Sequence, residues 1–156
     1  MNTLEIVDVN LSDQNHAEAV LLITDHYAQD PMGIGKELPD ETKKTLTDRL
    51  KEFQHYIGFL AYIDSKPAGL ANCFYGFSTF KASKIINIHD LAVMPRFRGK
   101  GIGEALLAAV ERKAVAEKCC KITLEVREDN RARRLYDRFG FSYGKPKMLF
   151  MEKELS

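Results

Sequence analysis

The chain has 156 residues, 45% of them hydrophobic and 29% charged, with 23 basic against 22 acidic side chains and a formal charge of +1. That length supports one hydrophobic core without disulfide or metal staples, and the composition excludes a disordered or fibrous chain. A near-neutral balance supplies no field toward nucleic acid. No apolar run nears the roughly 18 residues of a membrane span, and Met1-Asn2-Thr3-Leu4-Glu5 lacks the basic and apolar regions of a secretion signal, so a cytoplasmic protein without membrane contact is expected.

In chain order, the alternation from Leu4 to Val9 predicts a first strand, and Ser12 or Asp13 can cap a helix carrying Ala17, Val20, Leu21 and Ile23 on one face. Asp30-Pro31-Met32-Gly33-Ile34-Gly35 breaks that helix, and Pro39-Asp40 starts another with Leu46, Leu50 and Phe53 at helical spacing. Tyr56 to Ile63 and Ala68 to Phe77 read as antiparallel strands joined tightly through Asp64-Ser65-Lys66-Pro67. A strand from Ile85 to Met94 follows, then a helix over about 101–118 and a strand from Lys121 to Val126, a crossover that implies a parallel pair. A basic helix over about 130–139 ends at Gly140, and segments around Phe141 and from Leu149 to Glu152 predict a closing pair of strands. No repeat or linker divides the chain, so residues 1–156 are expected to form a single domain.

The segment after the central strand, Pro95-Arg96-Phe97-Arg98-Gly99-Lys100-Gly101-Ile102-Gly103, carries the chemistry. Gly99, Gly101 and Gly103 let backbone approach an anion without Cβ obstruction. The free N–H groups and positive dipole end of the following helix favour negative charge there, and Arg98 and Lys100 add charge-assisted donors. A Walker loop needs Ser or Thr after its Gly-Lys, and Lys100 is followed by Gly101; the dinucleotide fingerprint needs Gly-x-Gly-x-x-Gly, and these glycines are one residue too tight. Cys73, Cys119 and Cys120 have no metal-ligand spacing, so no metal is expected and the thiols read as free.

Arg98, Gly101 and Gly103 match Arg/Gln-x-x-Gly-x-Gly/Ala, and Leu135-Tyr136-Asp137-Arg138-Phe139-Gly140-Phe141 matches Leu-Tyr-x-x-x-Gly-Phe. Both motifs, in this order, resemble the GNAT superfamily of N-acetyltransferases. The order of elements resembles that fold along the whole chain: an α/β (α+β) domain with a mixed, mostly antiparallel sheet, a central parallel β-α-β pair with splayed strands, and helices on both faces. The resemblance implies acetyl-coenzyme A as acyl-donor cosubstrate, with its pyrophosphate at Arg98, Gly99, Lys100, Gly101, Ile102 and Gly103 and its pantetheine arm along the backbone of Leu91, Ala92 and Val93. It also implies Tyr136 as the acid that protonates the departing thiolate and as a coenzyme contact. The family's second motif places an asparagine three residues before an alanine, whereas Asn130 stands two before Ala132 and Asp129 three before. Either could meet the pantetheine arm, and Arg131, Arg133 and Arg134 could neutralise phosphates.

A primary amine with pKa near 10.4 is almost wholly protonated at pH 7, a deficit of about 4.6 kcal/mol, so a base or relay is useful. His89 and Asp90 are the candidates, with Glu125 on the next strand a third. On a regular strand His89 and Asp90 point to opposite faces, and only a bulge would bring both to one acceptor. No cysteine lies in either motif, which favours direct attack by the amine in a ternary complex over an acyl-enzyme route. The acceptor, a small-molecule or peptide amine, would be lined by residues 32–38 with Tyr56, Tyr75, Phe77 and Phe80. Homodimers are frequent in the superfamily. Two other classes compete: a non-catalytic acyl-coenzyme A binding module, which would keep the glycine cradle without turnover, and a nucleic-acid binder using Arg96, Arg98, Lys100 and the basic cluster from Arg131 to Arg138, disfavoured by the neutral net charge.

Overall fold

The computed structural model describes residues 2–156. Five strands, β1 (Leu4–Asp8), β2 (Tyr56–Ile63), β3 (Lys66–Ser78), β4 (Ser83–Val93) and β5 (Lys121–Leu124), form one sheet in the order β1-β2-β3-β4-β5. The first three pairings are antiparallel, and β4 with β5 is parallel. The β2–β3 connection is a two-residue turn in which Asp64 and Ser65 both take positive φ, the geometry that matches the twist of a hairpin.

Helices cover both faces. On one, α1 (Gln14–Gln29) packs Ala19, Val20 and Ile23 against Leu60, Leu70 and Ala92. Asp13 caps it by accepting from the Asn15 N–H at 2.9 Å. The next helix, α2 (Asp40–Glu52), buries no residue of its own and leans on the core through Leu50. Its predicted apolar face is thus mostly wet, with Phe53 beyond its end 52% exposed.

On the other face α3 (Ile102–Ala116) buries Ile102, Leu106, Leu107 and Val110 against Phe59, Ala61, Ala71 and Ile86, and α4 (Arg133–Arg138) adds Tyr136. Gly69 permits the close approach of α3: a Cβ there would stand 2.8 Å from Ile102 Cγ2 and 3.1 Å from the Ala92 carbonyl. A five-stranded mixed sheet with a parallel β4-α3-β5 unit and helices on both faces is the architecture the sequence predicts.

Two features position the site. Parallel pairing of β4 with β5 runs from Ile85–Lys121 to Ile88–Leu124 and stops, while β4 continues to Val93 against β3 alone. The strands therefore splay beyond Ile88. A bulge also falls at His89, because Cys73 pairs with Ile88 and Asn72 with Asp90. It inverts the alternation: Ile86 and Ile88 face α3 before it, and Leu91 and Val93 face α3 after it.

The predicted closing strands do not form. Residues 141–156 contain no helix or strand, and Met148, Leu149, Phe150 and Met151 stand in solvent. A short apolar run suits a buried strand, but a strand needs a neighbour, and β5 is left as an open edge. No described helix is long and apolar enough to cross a membrane.

Leu106 is fully buried where α3 meets the sheet. Truncation to alanine is expected to cost about 2–5 kcal/mol, read as a lowered urea midpoint at unchanged slope.

Candidate functional site

Where β4 leaves β5 a cleft of about 550 Å³ opens, lined by Ile23, Tyr27, Met32 and the Leu91–Met94 segment, with Arg98 and Gly103 at one end and Asn130, Arg131 and Leu135 along the other wall. The backbone of Leu91, Ala92 and Val93 has no strand partner on the β5 side among the described residues.

The predicted cradle closes one end of this cleft. A short 3-10 turn (Pro95–Phe97) carries the chain to Arg98. Gly99 and Gly101 then adopt φ of +77° and +78°, which glycine enters at little cost, and a Cβ on either would meet nothing within 4 Å. Backbone strain, and not lack of space, is what demands glycine there. Gly101 is the N-cap of α3 and offers no side-chain cap, so the first N–H groups of the helix remain donors without a side-chain partner. Gly103 lets α3 pass close to α4: a Cβ would lie 3.0 Å from Leu135 Cδ2, so that leucine would have to shift slightly. Ile102 is buried and anchors the helix start in the core, while Lys100 projects outward, 5.7 Å from the centre of the Phe97 ring.

Arg98 is bonded to Asp30 Oδ2 at 2.9 Å. The Met32 N–H and then Arg98 hold the Asp30 carboxyl below the usual carboxylate range. Arg127, on the other side of the cleft, donates to the Pro31 carbonyl at 2.9 Å and pairs with Asp129. The α1–α2 loop is thus strapped to chain segments after both splayed strands, a tie between distant residues that no sequence pattern announces.

Asn130 lines the cleft, with its Oδ1 accepting from the Ala132 N–H at 2.8 Å at the approach to α4. Asp129 is engaged by Arg127. Arg131 lines the cleft, whereas Arg133 donates to the Glu128 carbonyl and to the Tyr143 hydroxyl. The sequence reading gave Arg133 a coenzyme contact, and its guanidinium is committed elsewhere.

Tyr136 is 9% exposed, stacked edge-on against Phe141 with ring centres 5.9 Å apart. Burial pushes its phenol up to about 12, with a further contribution from the neighbouring phenol of Tyr27. It is a neutral donor at physiological pH, and its hydroxyl has no hydrogen-bond partner among the described residues.

Just before the lining residue Leu91, and not themselves lining the cleft, His89 and Asp90 sit at the bulge that the regular-strand expectation excepted: His89 Nδ1 lies 3.2 Å from Asp90 Oδ1. The hydrogen bond to Asp90 raises the His89 pKa above its ordinary value, against the opposing effect of burial. Asp90 Oδ2 accepts from Asn72 Nδ2 at 3.0 Å; Asn72 Nδ2 also reaches Thr24 Oγ1 at 3.2 Å, and Asn72 Oδ1 accepts from the Tyr56 hydroxyl at 2.8 Å. Every polar atom of the Asn72 amide is used, and Asn72 is the buried polar side chain among the described residues. Sequence reasoning missed it: an asparagine amid the apolar residues of β3 is the only signal, and its partners come from three other elements. Glu125 makes weaker contacts to Asn87 at 3.4 Å.

The predicted aromatic lining is mostly not there. Tyr75 donates to Glu117 at the far end of the sheet, Phe77 and Phe80 project into solvent, and the Tyr56 hydroxyl is spent on Asn72. These strands run away from the cleft beyond the bulge, so Tyr27, His26, Gln29 and Met32 of α1 and its loop take their place.

A sheet that splays beside a glycine-started helix is the arrangement that the two sequence motifs imply. Residues 21–141 match the acetyltransferase (GNAT) family. The chain belongs to the GNAT acetyltransferase family, and it is an acyltransferase. Among solved structures, a probable acetyltransferase superposes with a TM-score of 0.83 at 18% identity, covering 97% of this chain and 99% of its own. An aminoglycoside N-acetyltransferase in complex with CoA gives 0.78 at 18% identity over 99% and 97% of the two chains. Ribosomal-protein-alanine N-acetyltransferase from Brucella melitensis gives 0.76 at 18% identity over 97% and 100%.

Pairing with Asp90 favours protonated His89, so its contribution to stability is present below the ordinary histidine pKa and is lost as pH rises through the elevated one. An NMR titration of the His89 ring is expected to give a pKa above 6.5, and Asp90→Asn is expected to lower it.

Proposed function

We propose that this chain is an acetyl-coenzyme A-dependent N-acetyltransferase that acetylates a primary amine of a small molecule or peptide by direct attack in a ternary complex. The observation that carries the reading is the gap between β4 and β5: the cleft there holds the glycine-started end of α3, with the buried phenol of Tyr136 next in sequence to its lining residue Leu135 and the His89–Asp90 pair directly before its lining residue Leu91. The bound cosubstrate supplies an acyl carbon activated as a thioester.

The chain's own groups do the rest. The unpartnered N–H groups at the start of α3, with Arg98, hold anionic phosphate oxygens. The free backbone edge of Leu91, Ala92 and Val93 offers a strand-like ladder to an extended amide-bearing arm. Tyr136 keeps its proton until a thiolate needs it, because burial disfavours the phenolate. When His89 is neutral and donates Nδ1–H to Asp90, Nε2 carries a free lone pair, so Asp90 orients and His89 accepts. Burial lifts the Cys73 thiol to about 12 and raises Cys119 as well, which disfavours a thiolate nucleophile and with it an acyl-enzyme. Asp90, whose charge bears on the cleft residue Tyr27, suits a cationic amine. The aminoglycoside and ribosomal-protein-alanine acetyltransferases of like fold are consistent with a small-molecule or peptide acceptor.

A panel of amines assayed for release of free coenzyme thiol tests the reading, and a protein that binds acetyl-coenzyme A yet acetylates none of them would be a binding module. In the active pairing, Tyr136→Phe is expected to lower kcat by about 10²-fold with coenzyme affinity little changed. Gly101→Val must carry a branched side chain at φ +78° and is expected to weaken coenzyme binding by calorimetry in a variant that remains folded.

A further inference from the structure

The sheet face that α1 packs on is covered over only part of its length. There α1 meets Leu60, Leu70 and Ala92, with Leu50 of α2 beside them. Away from that cluster the register sets Tyr56, Phe74, Asn87 and Thr123 side by side across β2, β3, β4 and β5, on the same face by strand alternation. Neither core cluster includes Phe74, nor Phe53 at the end of α2.

Those two phenylalanines pack on other rings. In order from His55 through Phe53 and Phe74 to His89, the ring centres are 5.8, 5.6 and 5.8 Å apart and the planes cross at 69°, 79° and 85°. Tyr56 adjoins Phe74 at 5.6 Å, and its hydroxyl is spent on Asn72. Edge-to-face packing at these distances lets each ring brace the next, so the row is a stiff apolar platform. It remains open to solvent, with Phe53 52% exposed and the His89 side chain 65% exposed. One end of the row is therefore the imidazole that accepts the amine proton.

Across the strands the chemistry of this face changes from apolar to polar. Asn87, opposite Phe74, donates to Thr123 Oγ1 at 3.0 Å and lies 3.4 Å from each oxygen of Glu125. Glu125 is exposed and has no ion-pair partner among the described residues. Its charge and that of Asp90 both bear on His89. Negative charge thus gathers at the histidine end, while the phenylalanine end offers no hydrogen-bonding side-chain atom of its own.

We propose that this platform is the acceptor subsite and that the acceptor is a primary amine carrying a flat aromatic group on a short chain, with its ring on Phe53 and Phe74, its nitrogen at His89 and Glu125 beside the nitrogen. The inference rests on the reading of the chain as an N-acetyltransferase and names the acceptor of that reaction. The step from Phe74 to His89, 5.8 Å, is about the reach of a two-carbon spacer between ring and nitrogen. A sugar-like amine would lay hydroxyls on rings that cannot bond them, because Phe53 and Phe74 have no polar atom and the Tyr56 hydroxyl is taken. An aliphatic diamine would carry its second charge away from Asp90 and Glu125 and cover little of the flat ring surface. The same chemistry comes from a free arylalkylamine or from a peptide that opens on an aromatic residue.

With acetyl-coenzyme A, thiol release is expected to give phenethylamine a kcat/KM about tenfold or more above those of butylamine, putrescine and glucosamine. A short peptide opening on phenylalanine, assayed beside phenethylamine, tells the peptide source from the free amine by which of the two is preferred. Phe53→Ala is expected to remove the aromatic advantage through KM, and Phe53→Tyr, which keeps a flat ring, to retain it. Independently of turnover, phenethylamine added to the full chain with coenzyme A is expected to shift the NMR signals of the His89 ring, with Phe53→Ala weakening that binding by about tenfold. Thiol release without the aromatic advantage, an advantage that survives Phe53→Ala, or a His89 ring indifferent to phenethylamine would each overturn the subsite. A shifted His89 with no thiol released from any amine would overturn the acetyltransferase reading and leave the aromatic subsite standing.

Discussion

The site depends on where parallel pairing stops. Between Ile88–Leu124 and the end of β4 the backbone of one strand is held by β3 alone, and the space on its other side cannot be filled by sheet. Both layers therefore meet at the gap. Tyr27 approaches from α1 on one face and Tyr136 from α4 on the other, near enough for the charge state of one phenol to bear on the other. A closed sheet would have kept these helices apart. The same divergence brings the N-terminus of α3 and the approach to α4 to one cleft, with Gly103 and Leu135 both lining it, so their meeting is a consequence of a single break in hydrogen bonding.

The bulge at His89 solves a second geometric problem. Without it, strand alternation would turn His89 and Asp90 to opposite faces and would not let Ile86, Ile88, Leu91 and Val93 all pack against the α3 side. One inserted residue lets the apolar set change parity and leaves a polar pair at the step. The carboxylate there is held by a fully satisfied amide. Removal of one partner of a buried hydrogen-bonded group strands the other at a cost of about 1–3 kcal/mol, so Asn72, Tyr56 and Thr24 rise or fall together. This coupling makes the orientation of Asp90, and through it His89, a property of β2, β3 and α1 together.

Most of the fold was legible because its signals are local. Apolar residues at helical spacing marked α1 and α3, paired turn residues marked the β2–β3 hairpin, and glycines before an apolar helix marked the cradle. The features that escaped depend on residues far apart in the chain. Asn72 meets Thr24, Tyr56 and Asp90, and Asp30 meets Arg98, each across elements whose packing no periodicity encodes. The aromatic lining failed for a related reason: Tyr75, Phe77 and Phe80 belong to the correct strand or its following turn but lie beyond the bulge, away from the splayed end. The closing strands expected around Phe141 and from Leu149 to Glu152 do not form, because an apolar run says nothing about whether a neighbouring strand is there to pair with it.

The short helix that carries Tyr136 ties these levels together. Six residues cannot hold a helix by their own hydrogen bonds, so α4 is fixed by its flanks. Asn130 caps its approach, Phe141 stacks on Tyr136, and Arg133 grips Tyr143 on the chain leading out. The position of the phenol is therefore set by residues on both sides of the helix. Arg133, which the sequence reading offered to the coenzyme, instead ties the start of α4 to Glu128 and Tyr143, while Ala132 and Leu135 beside it line the cleft.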